Sequence, residues 1–352
     1  MRWRKCSALN IFLLCFPHFF AWADPAPQVS ILVPVHNGER TLVAAMDSAI
    51  GQTLGAIEII CVDDGSTDGS RKILERYAAN DPRIILLINE KNRGTLQARV
   101  RALLASRGDY ILWLDCDDEL LPEIAERAHG TAKGSDADVV LFPLEKVLAD
   151  GTVESPVGWM LRVTPFSGTR SGSELIQLLA EGKISWNLWN KLWRGTIFRA
   201  VAHDLKPFAE SRRMLVAEDL LLFWKAAQAA SKYALCPTVG YRYVMEKNST
   251  ATEWANRALG RQFAFAVAAV AGKILGDESD PAMRWKAELV LRRGEKNVLD
   301  HIAALPIGEG RSAFLEYLSA FPPPQQEEIL RAMERAHPQW HARTAAMASE
   351  SH

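Results

Sequence analysis

Beyond the N-terminal 24 residues, the first long apolar stretch, Val29 to Val35 (VSILVPV), is continuous and β-branched rather than alternating, with proline before it and HNGE after it. A strand buried on both faces reads this way, and such strands belong to parallel sheets. Next, ERTLVAAMDSAIGQT carries Leu42, Ala45, Met46, Ala49 and Ile50 at helical spacing, and IEIICVDD restores a strand. The alternation runs on through SRKILERYAAN as helix, RIILLIN as strand, TLQARVRALLASR as helix and DYILWLD as strand, with DVVLFPL as a fifth strand. Strands alternating with helices predict right-handed βαβ crossovers and a doubly wound α/β sheet, whose ligands gather at the carboxyl ends of the strands.

The pattern changes after a Gly-, Ser- and Pro-rich connection at 150–173. ELIQLLAEGKI, NLWNKLWRGTIF and AEDLLLFWKAAQAA read as helical or nearly so, and YALCPTVGYRYVME as one or two late strands. From Asn256 the chain reads as all-helical, with FAFAVAAVAGKIL and AELVLRRGEKNVLDHIAAL as its main segments. The first of these is too short to span a bilayer and reads as core in preference to a surface-lying helix. Three regions result: 1–24, an α/β domain over 25–250, and a helical C-terminal extension over 251–352.

Composition narrows the function. At 352 residues, 48% hydrophobic and 24% charged, the chain has enough apolar mass for one large core or two modest ones. A formal net charge of −1 excludes the basic excess of a nucleic-acid binder. The five cysteines form no C-x-x-C pair, so neither a zinc site nor a disulfide framework is indicated. The N-terminus has a basic start (MRWRK), an apolar run and Ala21-Trp22-Ala23 before Asp24, which is the form of a cleaved signal peptide. A short anchor or an upstream start codon is the alternative, since His18 and Pro17 interrupt the run.

The candidate chemistry lies where apolar strands stop in acids: Asp63-Asp64 after the second strand, and Asp115, Asp117, Asp118 and Glu119 after the fourth. Asp115 and Asp117 are two apart, so in extended backbone both point to one side. Adjacent carboxylates repel unless a cation lies between them, and Mg2+ or Mn2+ prefers such oxygens while keeping sites open for phosphate. The plainer reading is a solvated acidic loop that caps the next helix. Neither G-x-G-x-x-G nor G-x-x-x-x-G-K-[ST] occurs, so any phosphate must be held otherwise, and a metal on Asp117 is the substitute.

VSILVPVHNGERTL, VDDGSTDGS, NRGTLQARVRAL, GDYILWLDCDDELLP, WNLWNKLWRGTIF and AEDLLLFW follow one another in the order and spacing of the family 2 glycosyltransferases of the GT-A fold. The chain resembles in particular the bacterial members that build surface polysaccharides, over about residues 28–250. The resemblance implies a nucleotide diphosphate sugar donor, UDP-linked by expectation, and a saccharide or lipid-linked acceptor. It places Pro34, His36, Asn37 and Glu39 in the nucleotide pocket, Asp63, Asp64 and Arg99 near the base, Asp115 near the ribose, and Asp117 on a Mg2+ or Mn2+ ion that bridges the phosphates. Asp219 matches the general base of inverting, single-displacement transfer, with no enzyme nucleophile. Trp186, Trp189, Lys191 and Trp193 resemble the stretch that leads to the acceptor region, although clustered tryptophans are more often core. Arg242 or Lys247 matches a basic segment that helps neutralise a diphosphate, with a solvated edge as the plainer reading.

Two departures stand out. Val100 replaces a common Asn, and the signal-like N-terminus sits uneasily with a cytoplasmic donor. An uncleaved anchor or a wrong start is compatible with peripheral membrane association on the cytoplasmic face; a cleaved signal leads to the periplasm or beyond. The rival expectations are an exported carbohydrate-binding protein of the same fold, indifferent to metal, and a phosphoryl-transfer enzyme of the haloacid dehalogenase kind. In the latter the acid pair follows the first strand rather than the fourth.

Overall fold

The computed structural model describes residues 26–155, 166–211, 213, 214 and 217–245, with a few positions between 270 and 334. The signal-like segment 1–24 and most of the expected C-terminal helices lie outside the described residues, as does Lys247. The first half of the chain runs β1 (Val29–Val35), α1 (Leu42–Ile50), β2 (Ile57–Asp64), α2 (Ser70–Asn80), β3 (Ile84–Asn89), α3 (Thr95–Ala105), β4 (Tyr110–Trp113), β5 (Glu119–Leu120) and α4 (Ile124–Ser135). It continues with β6 (Val139–Leu141), β7 (Leu144–Val147), β8 (Val153–Glu154), β9 (Thr169–Ser171), α5 (Ser173–Ala180), β10 (Lys191–Arg194), α6 (Gly195–Ser211), α7 (Glu218–Ala229), β11 (Lys232–Leu235) and β12 (Tyr241–Val244).

The main sheet is eight-stranded in the order β3-β2-β1-β4-β10-β6-β11-β9. Its first four strands are parallel, and every residue of β1 and β2 is buried, which is why their sequences lack alternation. The chain winds outward from β1 through β2 to β3, then returns to β4 on the other side of β1. That reversal puts α3 on the opposite face from α1 and α2, where it packs with α6 and α7. It also opens a crevice between the carboxyl ends of β1 and β4, the place where doubly wound sheets hold ligands.

The expected helical reading of NLWNKLWRGTIF is corrected by the structure. Lys191–Arg194 is the strand β10, antiparallel to both β4 and β6, with Leu192 opposite Leu112 on one side and Val140 on the other. Leu188, Trp189, Leu192 and Trp193 fit helical spacing, but a strand here supplies the backbone partners that β4 and β6 would otherwise lack inside the core. The helix begins only at Gly195, and Trp193 packs edge-on against Phe198 and Phe223. Within the connection read as irregular, β8 and β9 are short pairing segments; residues 156–165 lie outside the described residues.

YALCPTVGYRYVME forms two strands in different sheets. β11 extends the main sheet beside β6, and β12 joins the four-stranded sheet β5-β12-β7-β8, which lies against the acidic loop after β4. Val270 and Ile274 are buried in the common core, and Lys225 of α7 pairs with Asp277 at 2.6 Å, so this part of the expected extension docks on the domain. Among the described residues, no helix is long and apolar enough to cross a membrane.

Candidate active site

The loops that follow β1 and β2 are laced together. Asn37 adopts a left-handed backbone (φ 53°), its amide donates to Ser66 Oγ at 3.0 Å, and its Oδ1 accepts from the Thr67 amide at 2.8 Å. Glu39 accepts from the Gly69 amide at 2.9 Å, where a carboxylate suits the start of α2. His36 Nδ1 lies 2.9 Å from the carbonyl oxygen of Asp64. His36, Asn37 and Glu39 are exposed on the crevice rim, whereas Pro34 is buried within β1.

Asp63 and Asp64 are both buried and saturated by donors. Asp63 accepts from Arg71 Nε at 2.8 Å and the Ser66 amide at 3.0 Å. Asp64 accepts from Asn89 Nδ2 at 2.7 Å and from the Arg93 and Gly94 amides at 2.9 and 2.8 Å. Both acids hold the crevice wall in shape, their buried oxygens satisfied by these donors.

On the other wall, Asp115, Asp117 and Asp118 divide their roles by burial. Asp118 is 2% exposed; its Oδ2 accepts from the Tyr241 hydroxyl at 2.8 Å and its Oδ1 from the Val244 amide at 2.8 Å. Burial, reinforced by Asp117 and Asp115, raises its pKa well above the usual carboxylate range. The Tyr241 hydroxyl also accepts from the Asp115 amide at 3.2 Å, so β12 fixes the acidic loop from behind. Trp189 stacks on Tyr241 and Tyr243, with ring centroids 4.5 and 5.7 Å away, and is therefore largely committed to packing β12. Arg242 is engaged by Glu145 at 2.6 Å and Glu119 at 2.8 Å.

Arg99, on α3, reaches the same place from below the sheet edge. Its Nη2 donates to Asp115 Oδ1 at 2.8 Å, its Nε to Glu218 Oε1 at 3.2 Å, and its guanidinium lies 4.9 Å from the Trp113 ring centroid. Burial works against the charge, but Asp115, Glu218 and Asp219 outweigh it and keep the group firmly protonated.

Ala217, with φ 62°, turns the chain into α7 and presents Glu218 and Asp219 in its first turn. Glu218 is buried and Asp219 partly exposed. Burial, then the neighbouring Glu218, raises the Asp219 carboxyl from 3.8 to about 7, with Arg99 opposing. Its Oδ1 accepts the Leu220 amide at 2.8 Å. Lys191 completes the cluster: 1% exposed, it donates to the Asn187 carbonyl and to Asn190 Oδ1, both at 2.6 Å, and lies 5.5 Å from the Phe223 ring centroid. Phe223 sits one turn beyond Asp219 on the same face of α7. Burial lowers the Lys191 amine to about 7, against the pull of Asp219. Lys191 and Glu218 stood in the quoted motifs without a role near the base; only their burial beside Asp219 marks them.

The structure thus brings Arg99, Asp115, Glu218 and Asp219 into one connected network, with Asp117 on the same loop, and keeps Asp63 and Asp64 on the opposite wall. Among the described residues, no group of three or more His, Cys, Asp or Glu side chains is placed to hold a metal. The donor set still suits a Mg2+-type ion, which is commonly held by one or two carboxylates together with substrate phosphates. Asp117, like Asp115 and Glu119, is half-buried on this loop, whereas Asp118 is buried.

Residues 30–190 match the model of glycosyl transferase family 2. EpsH of Bacillus subtilis (strain 168), described as a glycosyltransferase, is 32% identical over 225 residues, covering 63% of this chain and 62% of that protein. The succinoglycan biosynthesis protein ExoO of Rhizobium meliloti (strain 1021) is 29% identical over 240 residues, covering 64% and 63%. The match therefore spans about three-fifths of the length of these curated relatives. The crystal structure of S. aureus TarS 1-349 in complex with UDP-GlcNAc shares the fold, with a TM-score of 0.62, 17% identity and 92% coverage of both chains. Over residues 30–190, which include the crevice and its acidic loop, the chain is similar to glycosyl transferase family 2, and its architecture is the GT-A fold.

Proposed function

We propose that this protein transfers a sugar, with inversion, from a nucleotide diphosphate donor, UDP-linked by preference, to a saccharide or lipid-linked acceptor in cell-surface polysaccharide synthesis. The observation that carries the reading is the convergence of an acidic loop and a carboxyl of raised pKa, Asp219, at the switch-point crevice. The relatives support it: ExoO is a succinoglycan biosynthesis protein, and the TarS structure holds UDP-GlcNAc.

The nucleotide enters between the loops after β1 and β4. His36, Asn37 and Glu39 form its exposed rim, Asp63 and Asp64 shape the wall toward the base, and Asp115 faces the ribose. Asp117 would hold Mg2+ or Mn2+, and the ion would supply positive charge to offset that of the leaving diphosphate. Asp219 takes the acceptor hydroxyl proton as that oxygen attacks the anomeric carbon from the opposite face. A carboxyl near 7 is a better proton acceptor than one near 4 and is still substantially ionised at neutral pH. With no nucleophile on the enzyme, one displacement inverts the centre.

The test is calorimetric titration of the protein with UDP, GDP and their sugar conjugates, with and without Mn2+, followed by NMR assignment of the product's anomeric configuration. Metal-dependent binding and an inverted product are expected. Binding that ignores metal, or a retained configuration, would overturn the corresponding part of the mechanism. Saccharide binding without any nucleotide binding would favour the exported, non-catalytic alternative.

A further inference from the structure

We propose that Arg99 is a positioning residue that ties the acidic loop after β4 to the N-terminus of α7, so that the donor side and the base side of the reaction are held as one unit. The inference rests on the glycosyl-transfer reading and gives Arg99 a role other than contact with the nucleotide base.

The geometry is that of a fork with two committed prongs. Nη2 reaches Asp115 at 2.8 Å and Nε reaches Glu218 at 3.2 Å, joining residues 103 positions apart in the chain by one planar group. The guanidinium is nearly fully buried, as is the Glu218 carboxyl, and its face is covered by Trp113 of β4. Buried charge pairs of this kind are costly to assemble, because both partners lose water, and they are costlier to break from one side. Nothing in the local structure of α3 requires a buried arginine here. Its one large consequence is to fix where α7 begins relative to the loop that carries Asp115 and Asp117.

The charged groups around the base come from four segments. Asp115 approaches from the loop after β4, Glu218 and Asp219 from α7, Arg99 from α3 and Lys191 from β10. Glu218 raises the Asp219 carboxyl, and Arg99 restrains that rise. Without Arg99, the base faces Glu218 and Asp115 uncompensated and its ionised form is disfavoured at neutral pH. Lys cannot substitute fully, since a single ammonium on a flexible stem cannot span two carboxylates in a fixed fork.

The experiment compares the full chain with Arg99→Lys, Arg99→Gln and Glu218→Gln by UDP titration in Mn2+ and by the pH dependence of kcat and kcat/KM. For Arg99→Lys the expected result is a fall in kcat of roughly 10- to 100-fold, as is usual for residues that orient a catalytic group, with the acid limb of the profile unmoved. For Arg99→Gln the acid limb moves upward, toward higher pH, and activity is partly restored in alkaline buffer. For Glu218→Gln the limb moves the opposite way, and this variant decides the matter if Arg99→Gln does not fold. An Arg99→Gln enzyme whose UDP affinity falls while kcat and the acid limb stay put would overturn the proposal in favour of a nucleotide contact. A Glu218→Gln enzyme with an unmoved limb and full kcat would also overturn it. A wild-type protein with neither metal-dependent UDP binding nor turnover removes the glycosyl-transfer reading and this proposal together, whereas changes confined to the variants bear on the bridge.

Discussion

Asp219→Asn separates what this site does for chemistry from what it costs in stability. The carboxyl is raised from 3.8 to about 7, chiefly by burial and then by Glu218. A carboxyl whose folded value exceeds its unfolded value stabilises the fold only when protonated. The penalty is absent below about pH 4, grows as pH rises through the interval, and is complete above about pH 7. That gap corresponds to roughly 4 kcal/mol at pH 8, and since Glu218 and Arg99 readjust when the charge is removed, about 2 kcal/mol is the working expectation. With a urea dependence of about 3 kcal/mol per molar for a chain of this size, the midpoint should rise by roughly 0.7 M at pH 8. At pH 5 the gain should fall to about a third of that, since the wild-type folded carboxyl is then mostly protonated. Asn keeps an oxygen for the Leu220 amide, so the local hydrogen bond survives. Urea unfolding of both proteins at pH 8 and pH 5, followed by tryptophan fluorescence, reads the stability, and sugar transfer at saturating donor reads the chemistry. A variant that is more stable at pH 8 yet inactive is expected. Equal midpoints at both pH values would refute the burial reasoning, and retained transfer would remove Asp219 as the base.

Other substitutions probe the rest of the site. Asp117→Asn should abolish the Mn2+ dependence of UDP binding while leaving the unfolding free energy within about 0.5 kcal/mol of wild type, since its side chain is half-buried on a loop; calorimetry and unfolding read the two effects, and unchanged metal dependence would reassign the ligand. Tyr241→Phe removes the hydroxyl that joins Asp118 to the Asp115 amide and should cost about 1–3 kcal/mol by chemical denaturation. Gly94→Ala should be more damaging than its size suggests, because φ is 98° and a Cβ would collide with the Met214 backbone; an unfolding midpoint equal to wild type would contradict that close approach. Lys191 is held down to about 7, so its buried charge penalises folding fully below that value and the penalty fades as pH rises toward 10.5. Lys191→Met should therefore flatten the rise in stability between pH 7 and pH 10, measured by urea unfolding across that range.

Much of the first half of the fold is legible because it depends on short-range pattern. Runs such as VSILVPV can only be two-face-buried strands when amphipathic helices lie between them, and βαβ handedness then fixes the order around β1. The acids after β2 and β4 are readable for the same reason, since each marks a strand end. NLWNKLWRGTIF shows where this fails. Its apolar spacing fits a helix, and only the unmet backbone partners of β4 and β6, contributed by segments far away in the chain, turn Lys191–Arg194 into a strand.

The sequence by itself determined the doubly wound half, the acidic loop at its switch point and the family motifs that carry a proposed chemistry, because each is written in neighbouring residues. Only the tertiary structure decided how the carboxylates divide their work: Asp64 saturated by the 89–94 loop, Asp118 sealed behind Tyr241, and Asp219 raised to about 7 beside Glu218 and Arg99. Identical side chains differ there through burial and donors brought from distant segments, and dielectric environment is a property of the packed fold that no local run of residues encodes.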